Sequence, residues 1–254
     1  MRTWKLTLEY EGTKYHGWQE QNNARTIQGD LLKAARDYFG VDLEIQGAGR
    51  TDAGVHAIAQ VAHLRVFSGG GKIDKLRAPE LKRELNVRLP AEIVILDVDE
   101  AANEFHARHD AKARSYLYQI STRRTAFSPK HVWWIREKLN VKAMTTAAKM
   151  LEGRHDFSCF RAVDPSKPND SAVVVVTAAN LAAQGHLIIF QIEASHFLWK
   201  MVRRIMGTLV KVGAGEVTLD QFRALVNGKG DAKLDVAAWT APPSGLFLDR
   251  ISYE

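Results

Sequence analysis

Alternating and helical patterns of hydrophobic residues divide the chain into predicted strands and helices. Residues 3–10 alternate apolar and polar side chains, which predicts a half-buried strand. Further strands are predicted at residues 56–66, 93–98, 115–121, 173–177 and 187–193, of which the strand at 93–98 is predicted to be buried. Helices are predicted at 26–39, 79–89, 141–151 and 197–212. Residues 45–54 predict a glycine-rich turn, and the glycine run at 68–72 predicts a flexible loop.

The order of these elements predicts the fold class. Strand, helix, strand, helix and strand follow one another about twice along the chain. We therefore expect an α+β protein of two similar halves, each an antiparallel-rich sheet with helices on one face. We place the halves at residues 1–107 and 108–254. Because no proline- or serine-rich linker separates them, we expect the halves to pack together.

Composition narrows the classes of protein only slightly. The 254 residues include 35 Lys and Arg against 29 Asp and Glu, and this net charge of +6 weakly favours a polyanionic partner. A single cysteine, Cys159, excludes an intramolecular disulfide and a cysteine-based zinc site. No apolar segment reaches the roughly 18–20 residues of a membrane helix. We expect a cytoplasmic protein without membrane contact.

The first candidate for chemistry is the segment GAGRTDAGVHA at residues 47–57, in which glycines flank Arg50 and Asp52. A carboxylate held in such a turn can attack an anomeric carbon or an electron-poor double bond. The alternative is that Asp52 only accepts a hydrogen bond from the backbone of its own turn. The spacing alone does not decide between them.

Two further segments offer aromatic and basic groups. Tyr116 and Tyr118 share one face of a predicted strand, where they either stack on a nucleic-acid base or belong to an aromatic core. Lys200, Arg203 and Arg204 fall on a predicted helix, with Lys200 and Arg204 on one face and Arg203 nearer the apolar side. A partly buried Arg203 needs an anionic partner, whereas a solvated basic face does not.

Other motifs carry no function. Residues 68–72 lack the spacing of a phosphate-binding loop, and residues 47–49 lack the third glycine of a dinucleotide site, so no nucleotide cofactor is expected. His106 and His109 lack the further ligands of a metal site and are expected to be surface histidines.

Taken together, the segments resemble the TruA-type tRNA pseudouridine synthases. The matching segments are, in chain order, YEGTKYHGWQ (10–19), TIQ (26–28), GRTDAGVHA (49–57), FHAR (105–108), RSYLY (114–118), HDFS (155–158), MVR (201–203) and GLFL (245–248). They extend over nearly the whole chain, and the RTDAGVH string is highly specific. The chain departs from the family pattern at Arg204, where an asparagine is usual.

The resemblance implies an isomerase that converts uridine to pseudouridine at positions 38, 39 and 40 of the tRNA anticodon stem-loop, without metal or cofactor. It also implies two halves packed around a central basic cleft, and a homodimer. By the same resemblance Asp52 is the nucleophile, Tyr116 the active-site tyrosine and Arg203 the arginine that pairs with the aspartate. Leu246 lines the uracil pocket, and Arg50 lies beside the target nucleotide.

Two other functions stay open from the residues themselves. One is an RNA-binding module of the same fold without catalysis. The other is a carboxylate enzyme that cleaves the nucleoside and does not rejoin it. The sequence also leaves open whether Asp52 attacks C1′, attacks C6 or deprotonates the sugar, and whether Asp52 or Tyr116 removes the C5 proton.

Overall fold

Two compact units make up the chain in a computed structural model, which describes residues 1–67, 71–126, 128–163 and 170–254. One unit comprises Met1–Lys112 with Phe247–Glu254, and the other comprises Ala113–Leu246. Each unit combines a β-sheet with helices, which confirms the α+β prediction. The units differ from the expected halves because the last strand of the chain pairs in the first unit. Residues 68–70 of the glycine run lie outside the described residues.

The first unit is a mixed sheet with helices packed on it. Its elements are β1 (Arg2–Tyr10), α1 (Ile27–Phe39), β2 (Leu43–Gly47), β3 (His56–Val66), α2 (Gly71–Asp74), α3 (Ala78–Arg88) and β4 (Ile93–Ala101). Strand β1 pairs antiparallel with both β3 and β4. Helix α1 contacts β2, and helix α3 contacts β4.

The second edge of β3 is shared between two strands. Strand β2 pairs antiparallel with the C-terminal part of β3, from Ala62 to Val66. The last strand of the chain pairs in parallel with the start of β3, where Phe247 lies opposite His56. The connection from β2 to β3 therefore leaves the sheet between these two partners, and this connection carries Asp52.

Local sequence explains the elements of the first unit that were predicted correctly. The apolar residues of β1 are all buried, and their polar neighbours lie on the other face. Helix α1 begins after Thr26, whose side chain accepts a hydrogen bond from the Gly29 amide. It ends at Gly40, which has a φ of 66°.

Two predictions in this unit were wrong in detail. Residues 43–47 form strand β2 where the glycines suggested that a turn begins at residue 45, because Leu43 and Ile45 are buried in the unit's core. Residues 93–98 were expected to form a buried strand, but Val94 in β4 is 37% exposed. An edge strand with one solvated face keeps this alternation.

In its described residues, the second unit combines a mainly antiparallel sheet with three helices. Its elements are β5 (Ala113–Ser121), β6 (Trp133–Trp134), α4 (Val141–Lys149), β7 (Gly153–Asp156), β8 (Val173–Gln184), β9 (Leu187–Ala194), α5 (Met201–Gly213) and α6 (Leu219–Val226). The last strand of the chain, β10 (Leu246–Ser252), is the one that pairs with β3 of the first unit. Strands β5, β9, β8 and β7 are neighbours in that order, and the short β6 lies parallel to β5. Helix α4 packs on β8 and contacts α5 and α6.

Helix α5 starts later than the hydrophobic pattern predicts. Lys200 has a φ of 61°, in the left-handed region, so the helix begins at Met201 and residues 197–200 form a loop. The predicted helical face shared by Lys200 and Arg204 is therefore wrong. Ten of the thirteen residues of α5 are buried, which explains why its amphipathic pattern is so strong.

Five further elements were not predicted from the sequence, and they are β6, β7, α6, β10 and α2, which begins inside the loop predicted at residues 68–72. Strands β6, β7 and β10 are short or have mixed composition, so no clear alternation marks them. Helix α6 has a capping box, in which Thr218 accepts from the Gln221 amide and the Gln221 side chain accepts from the Thr218 amide. Among the described residues, no helix is long and apolar enough to cross a membrane.

The two histidines expected at the surface belong to a cluster with a third, buried histidine. The His106 ring lies 4.8 Å from the His63 ring and 4.2 Å from the His109 ring, measured between centroids. His63 is fully buried, and its Nδ1 accepts a hydrogen bond from the Ala107 amide at 3.1 Å. Burial, with smaller contributions from Arg65 and His106, lowers the pKa of His63 to about 4.

This histidine makes stability depend on pH. Between pH 6.5 and pH 4 the unfolded chain protonates its histidine while folded His63 stays neutral, so the free energy of unfolding falls as the pH falls. We expect His63→Asn, whose side-chain oxygen can still accept from Ala107, to lose less stability over this range than the wild type. Urea unfolding at a series of pH values measures both slopes.

The control for this prediction is His186→Asn, which removes an exposed histidine. If His63→Asn and the wild type lose stability in parallel between pH 6.5 and pH 4, His63 does not cause the acid sensitivity.

Candidate active site

Asp52 lies at the start of a tight turn in the loop of residues 48–55, which we call the Asp52 loop. The Val55 amide donates to the Asp52 carbonyl at 3.2 Å, and Gly54 at the third position of the turn has a φ of 77°. Asp52 is half-buried, and Arg50 is exposed. The carboxylate therefore belongs to an ordered turn and is still accessible from solvent.

A second segment of the first unit is hydrogen-bonded to the Asp52 loop on both sides of Asp52 along the chain. This stretch, residues 11–18, connects β1 towards α1, and we call it the clamp segment. The Trp18 amide donates to the Thr51 carbonyl at 3.1 Å, and the Gly54 amide donates to the Tyr15 carbonyl at 3.2 Å. Backbone hydrogen bonds thus fix the chain on both sides of Asp52.

Two glycines allow the clamp segment to come this close. Gly17 has a φ of 95°, and a Cβ atom there would lie 2.6 Å from the Thr51 carbonyl oxygen. A Cβ atom on Gly12 would collide with the Val55 carbonyl oxygen. Side chains at these two positions would push the clamp segment away from the Asp52 loop.

Buried polar side chains of β1 and β3 form hydrogen bonds with the Asp52 loop and the clamp segment. The hydroxyl groups of Tyr10 and Thr51 are hydrogen-bonded to each other at 2.9 Å, and the Gln60 side chain donates to the Gly49 carbonyl at 2.9 Å. His56 accepts from the Gly12 amide at 3.0 Å, which ties the clamp segment to the start of β3. Burial raises the pKa of Tyr10 to about 12, so its hydroxyl stays neutral.

Tyr116 lies on β5 in the second unit. Tyr116 is 9% exposed, and its ring meets the Phe197 ring edge to face, with centroids 4.9 Å apart. Phe197 belongs to the loop that precedes α5. This contact links the tyrosine strand to the segment that leads into the helix of Arg203.

Arg203 is the third residue of α5 and is half-buried. Its Nε donates to the Ala241 carbonyl at 2.7 Å, and the Ala241 amide donates to the Arg203 carbonyl at 3.1 Å. The expectation was an anionic partner, and within the second unit the structure shows these contacts with Ala241. The neighbouring Arg204 donates to the Arg161 carbonyl.

Leu246 follows a turn that packs closely on β5. It is 6% exposed and comes directly after Gly245. A Cβ atom on Gly245 would lie 2.7 Å from the Gln119 carbonyl oxygen and 2.7 Å from the Tyr118 ring. The position of Leu246 is therefore set by the contact of this turn with β5.

The structure assigns the predicted residues to two groups. Arg50 and Asp52 share one loop of the first unit, and Tyr116, Arg203 and Leu246 belong to the second unit. The sequence motifs include the clamp segment, within residues 10–19, but they assign it no role in holding the Asp52 loop. Its signal was present, because two glycines and the rings of Tyr15, His16 and Trp18 within residues 12–18 are unusual for an exposed connection.

Comparison with known proteins shows the family. The profile of the tRNA pseudouridine synthase family matches residues 7–110 and 147–254. The tRNA pseudouridine synthase A of Thermosipho melanesiensis is 38% identical over 254 residues, which cover all of both chains. Those of Thermoanaerobacter sp. (strain X514) and Brucella ovis are each 38% identical, over 255 and 257 residues, and cover all of this chain and 100% and 98% of theirs.

The chain belongs to the tRNA pseudouridine synthase family, a family of isomerases. The match includes both the Asp52 loop and the helix that carries Arg203. The resemblance to TruA-type enzymes is thereby confirmed.

A substitution at Gly17 tests whether the clamp segment positions Asp52. We expect Gly17→Ala to reduce the rate of pseudouridine formation by roughly 10- to 100-fold, because the added Cβ displaces the chain beside Asp52. Nucleoside analysis of a treated tRNA transcript measures this rate.

The matched control is Gly40→Ala. Gly40 also has a positive φ, 66°, but a Cβ atom there would meet nothing within 4 Å. Both variants carry backbone strain of about 1 kcal/mol, and only Gly17→Ala disturbs the Asp52 loop. Equal rates for the two variants would show that the clamp does not position Asp52.

Proposed function

We propose that the protein isomerises uridine to pseudouridine at positions 38, 39 and 40 of the tRNA anticodon stem-loop, with Asp52 as the nucleophile. The observation that carries the proposal is the Asp52 loop, a half-buried carboxylate fixed on both sides by backbone hydrogen bonds. Membership of the tRNA pseudouridine synthase family supports it.

The chemistry suits a carboxylate without a redox partner. The N1–C1′ glycosidic bond breaks, the uracil turns, and a C5–C1′ bond forms while C5 loses its proton and N1 gains one. No atom is gained or lost and nothing is oxidised, so the reaction calls for a nucleophile or base and for groups that hold the detached base. Asp52 supplies the first by attack on C1′, by attack on C6 or by deprotonation of the sugar.

The target base must first leave the RNA stack. Extruding a nucleotide costs a few kcal/mol, which a stacking side chain and a cation in the vacated space can offset. We assign the stacking role to Tyr116 and the space-filling role to Arg50, whose exposed side chain is available to RNA. Leu246 lines the uracil pocket in this proposal.

Arg203 has an electrostatic role in the proposal. A carboxylate must be ionised to act as nucleophile or base, and a guanidinium nearby favours the ionised form whereas burial disfavours it. We assign this effect on Asp52 to Arg203.

The proposed partner is tRNA, bound by a homodimer in the cytoplasm. The net charge of +6 supports a polyanionic substrate. Basic residues cluster in two stretches of the chain, which are Arg108, Lys112 and Arg114, and Lys200, Arg203 and Arg204. In the proposed dimer, one subunit performs the chemistry while its partner helps to hold the tRNA in a basic cleft.

The substitution Asp52→Asn tests the assigned nucleophile. We expect it to abolish pseudouridine formation because the amide is neutral and cannot attack, while the dissociation constant for tRNA stays within a few fold. Turnover is measured by nucleoside chromatography and binding by filter retention. The control Asp42→Asn changes an exposed aspartate of the same unit and should keep wild-type turnover.

Three results would count against the proposal. Substantial turnover by Asp52→Asn would remove Asp52 from the mechanism. Free uracil and abasic RNA from the wild type would indicate a nucleoside hydrolase. Tight tRNA binding by a wild type that forms no pseudouridine would indicate a binding module.

A further inference from the structure

Tyr118 is the largest polar side chain of β5 that the proposed mechanism does not use. It follows Tyr116 by two residues and therefore lies on the same face of the strand. Its side chain is fully buried, and its hydroxyl donates to the Pro242 carbonyl at 2.7 Å. A phenol in this position does not reach a substrate, but it fixes the chain segment to which it donates.

That segment continues directly to Arg203. Ala241, the residue before Pro242, accepts from the Arg203 Nε at 2.7 Å and donates its amide to the Arg203 carbonyl at 3.1 Å. Pro242 has the φ of −60° that its ring imposes, so the two carbonyl groups of residues 241 and 242 are held by a stiff stretch of backbone. Tyr118 and Arg203 are thus connected through two adjacent peptide groups.

The charge of Arg203 is also felt at Tyr118. Burial strongly raises the pKa of Tyr118, and Arg203 partly opposes this rise. The phenol therefore stays protonated and remains a donor throughout the physiological range. A constant donor is what a fixed hydrogen bond to Pro242 requires.

The hydrogen bond to Ala241 determines how Arg203 presents its charge. With Nε directed at the Ala241 carbonyl, this hydrogen bond constrains the orientation of the planar guanidinium group. Losing the Tyr118 hydroxyl would release Pro242 and allow the Ala241 carbonyl to shift. The guanidinium plane would then shift with it.

We propose that Tyr118 is a positioning residue, which orients the Arg203 guanidinium for the reaction through the Ala241–Pro242 backbone. The inference rests on the proposed role of Arg203 beside Asp52. It adds to that role the device that holds the arginine, and it separates the two tyrosines of β5, since Tyr116 is assigned to the base and Tyr118 to the arginine.

The test compares two Tyr→Phe variants that each remove one hydrogen bond to a backbone carbonyl. Tyr118→Phe loses the bond to Pro242, and the control Tyr253→Phe loses a bond of 2.8 Å to Ala107 in the first unit. We expect Tyr118→Phe to lower the single-turnover rate of pseudouridine formation about ten-fold, with the tRNA dissociation constant within two-fold of the wild type. Tyr253→Phe should keep the wild-type rate and lose a comparable amount of thermal stability.

A double-mutant cycle with Arg203→Lys separates positioning from a general structural effect. Lysine keeps the positive charge but lacks the Nε donor. If Tyr118 acts through Arg203, Tyr118→Phe should slow an Arg203→Lys enzyme by less than two-fold, because the group that it positions is already gone. Single-turnover conditions with enzyme in excess keep slow variants measurable.

The outcomes distinguish this inference from the function on which it rests. A wild type that forms no pseudouridine overturns the proposed function and the inference with it. An active wild type whose Tyr118→Phe variant is equally fast overturns the positioning role alone. The positioning role is also overturned if Tyr118→Phe slows the Arg203→Lys enzyme by the same ten-fold factor as the wild type. It is overturned as well if Tyr253→Phe lowers the rate as much as Tyr118→Phe does.

Discussion

The close contact between the clamp segment and the Asp52 loop is the constraint on which the candidate site depends. A loop with several glycines would by itself sample many conformations, and a carboxylate on it would have no defined direction. Hydrogen bonds from Trp18 and to Tyr15 remove that freedom on either side of Asp52. They form only because Gly12 and Gly17 leave room for the backbone of the Asp52 loop.

The sheet of the first unit explains why the loop emerges where it does. On one edge of β3, the C-terminal part pairs with β2 and the N-terminal part pairs with β10. The connection from β2 to β3 leaves the sheet between β2 and β10. The buried Gln60 side chain lies in that interval and donates to the Gly49 carbonyl. In the second unit, the segment of residues 241–246 has a comparable supporting role, because it contacts Arg203 at one end and β5 at the other.

The sequence predicted the elements whose pattern is local. Strand β1 and helix α1 follow from alternation, from the cap at Thr26 and from the glycine at position 40. The start of α5 could not be predicted, because the apolar pattern continues through a loop in which Lys200 adopts a left-handed conformation. The pairing of β10 with β3 joins residues about 190 positions apart, and no periodicity in either strand records such a partner.

The candidate site was harder to predict than the fold. The spacing of the Asp52 segment fits an ordinary turn as well as a nucleophile, and the turn is indeed present, with Val55 donating to the Asp52 carbonyl. The resemblance to a family, and not the pattern, selected the residues. The sequence named the clamp segment and Tyr118 but not their supporting roles, because support of this kind comes from packing between segments that are distant in sequence.

The proposed function is tested most directly by nucleoside analysis of an unmodified tRNA transcript with uridines at positions 38, 39 and 40, incubated with the purified protein in a chelator. Chromatography is needed because pseudouridine has the mass of uridine. We expect pseudouridine in this transcript and none in a transcript whose uridines at those positions are replaced by cytidine. Absence of pseudouridine from the first transcript, despite tight binding, would contradict it, and so would pseudouridine in the second.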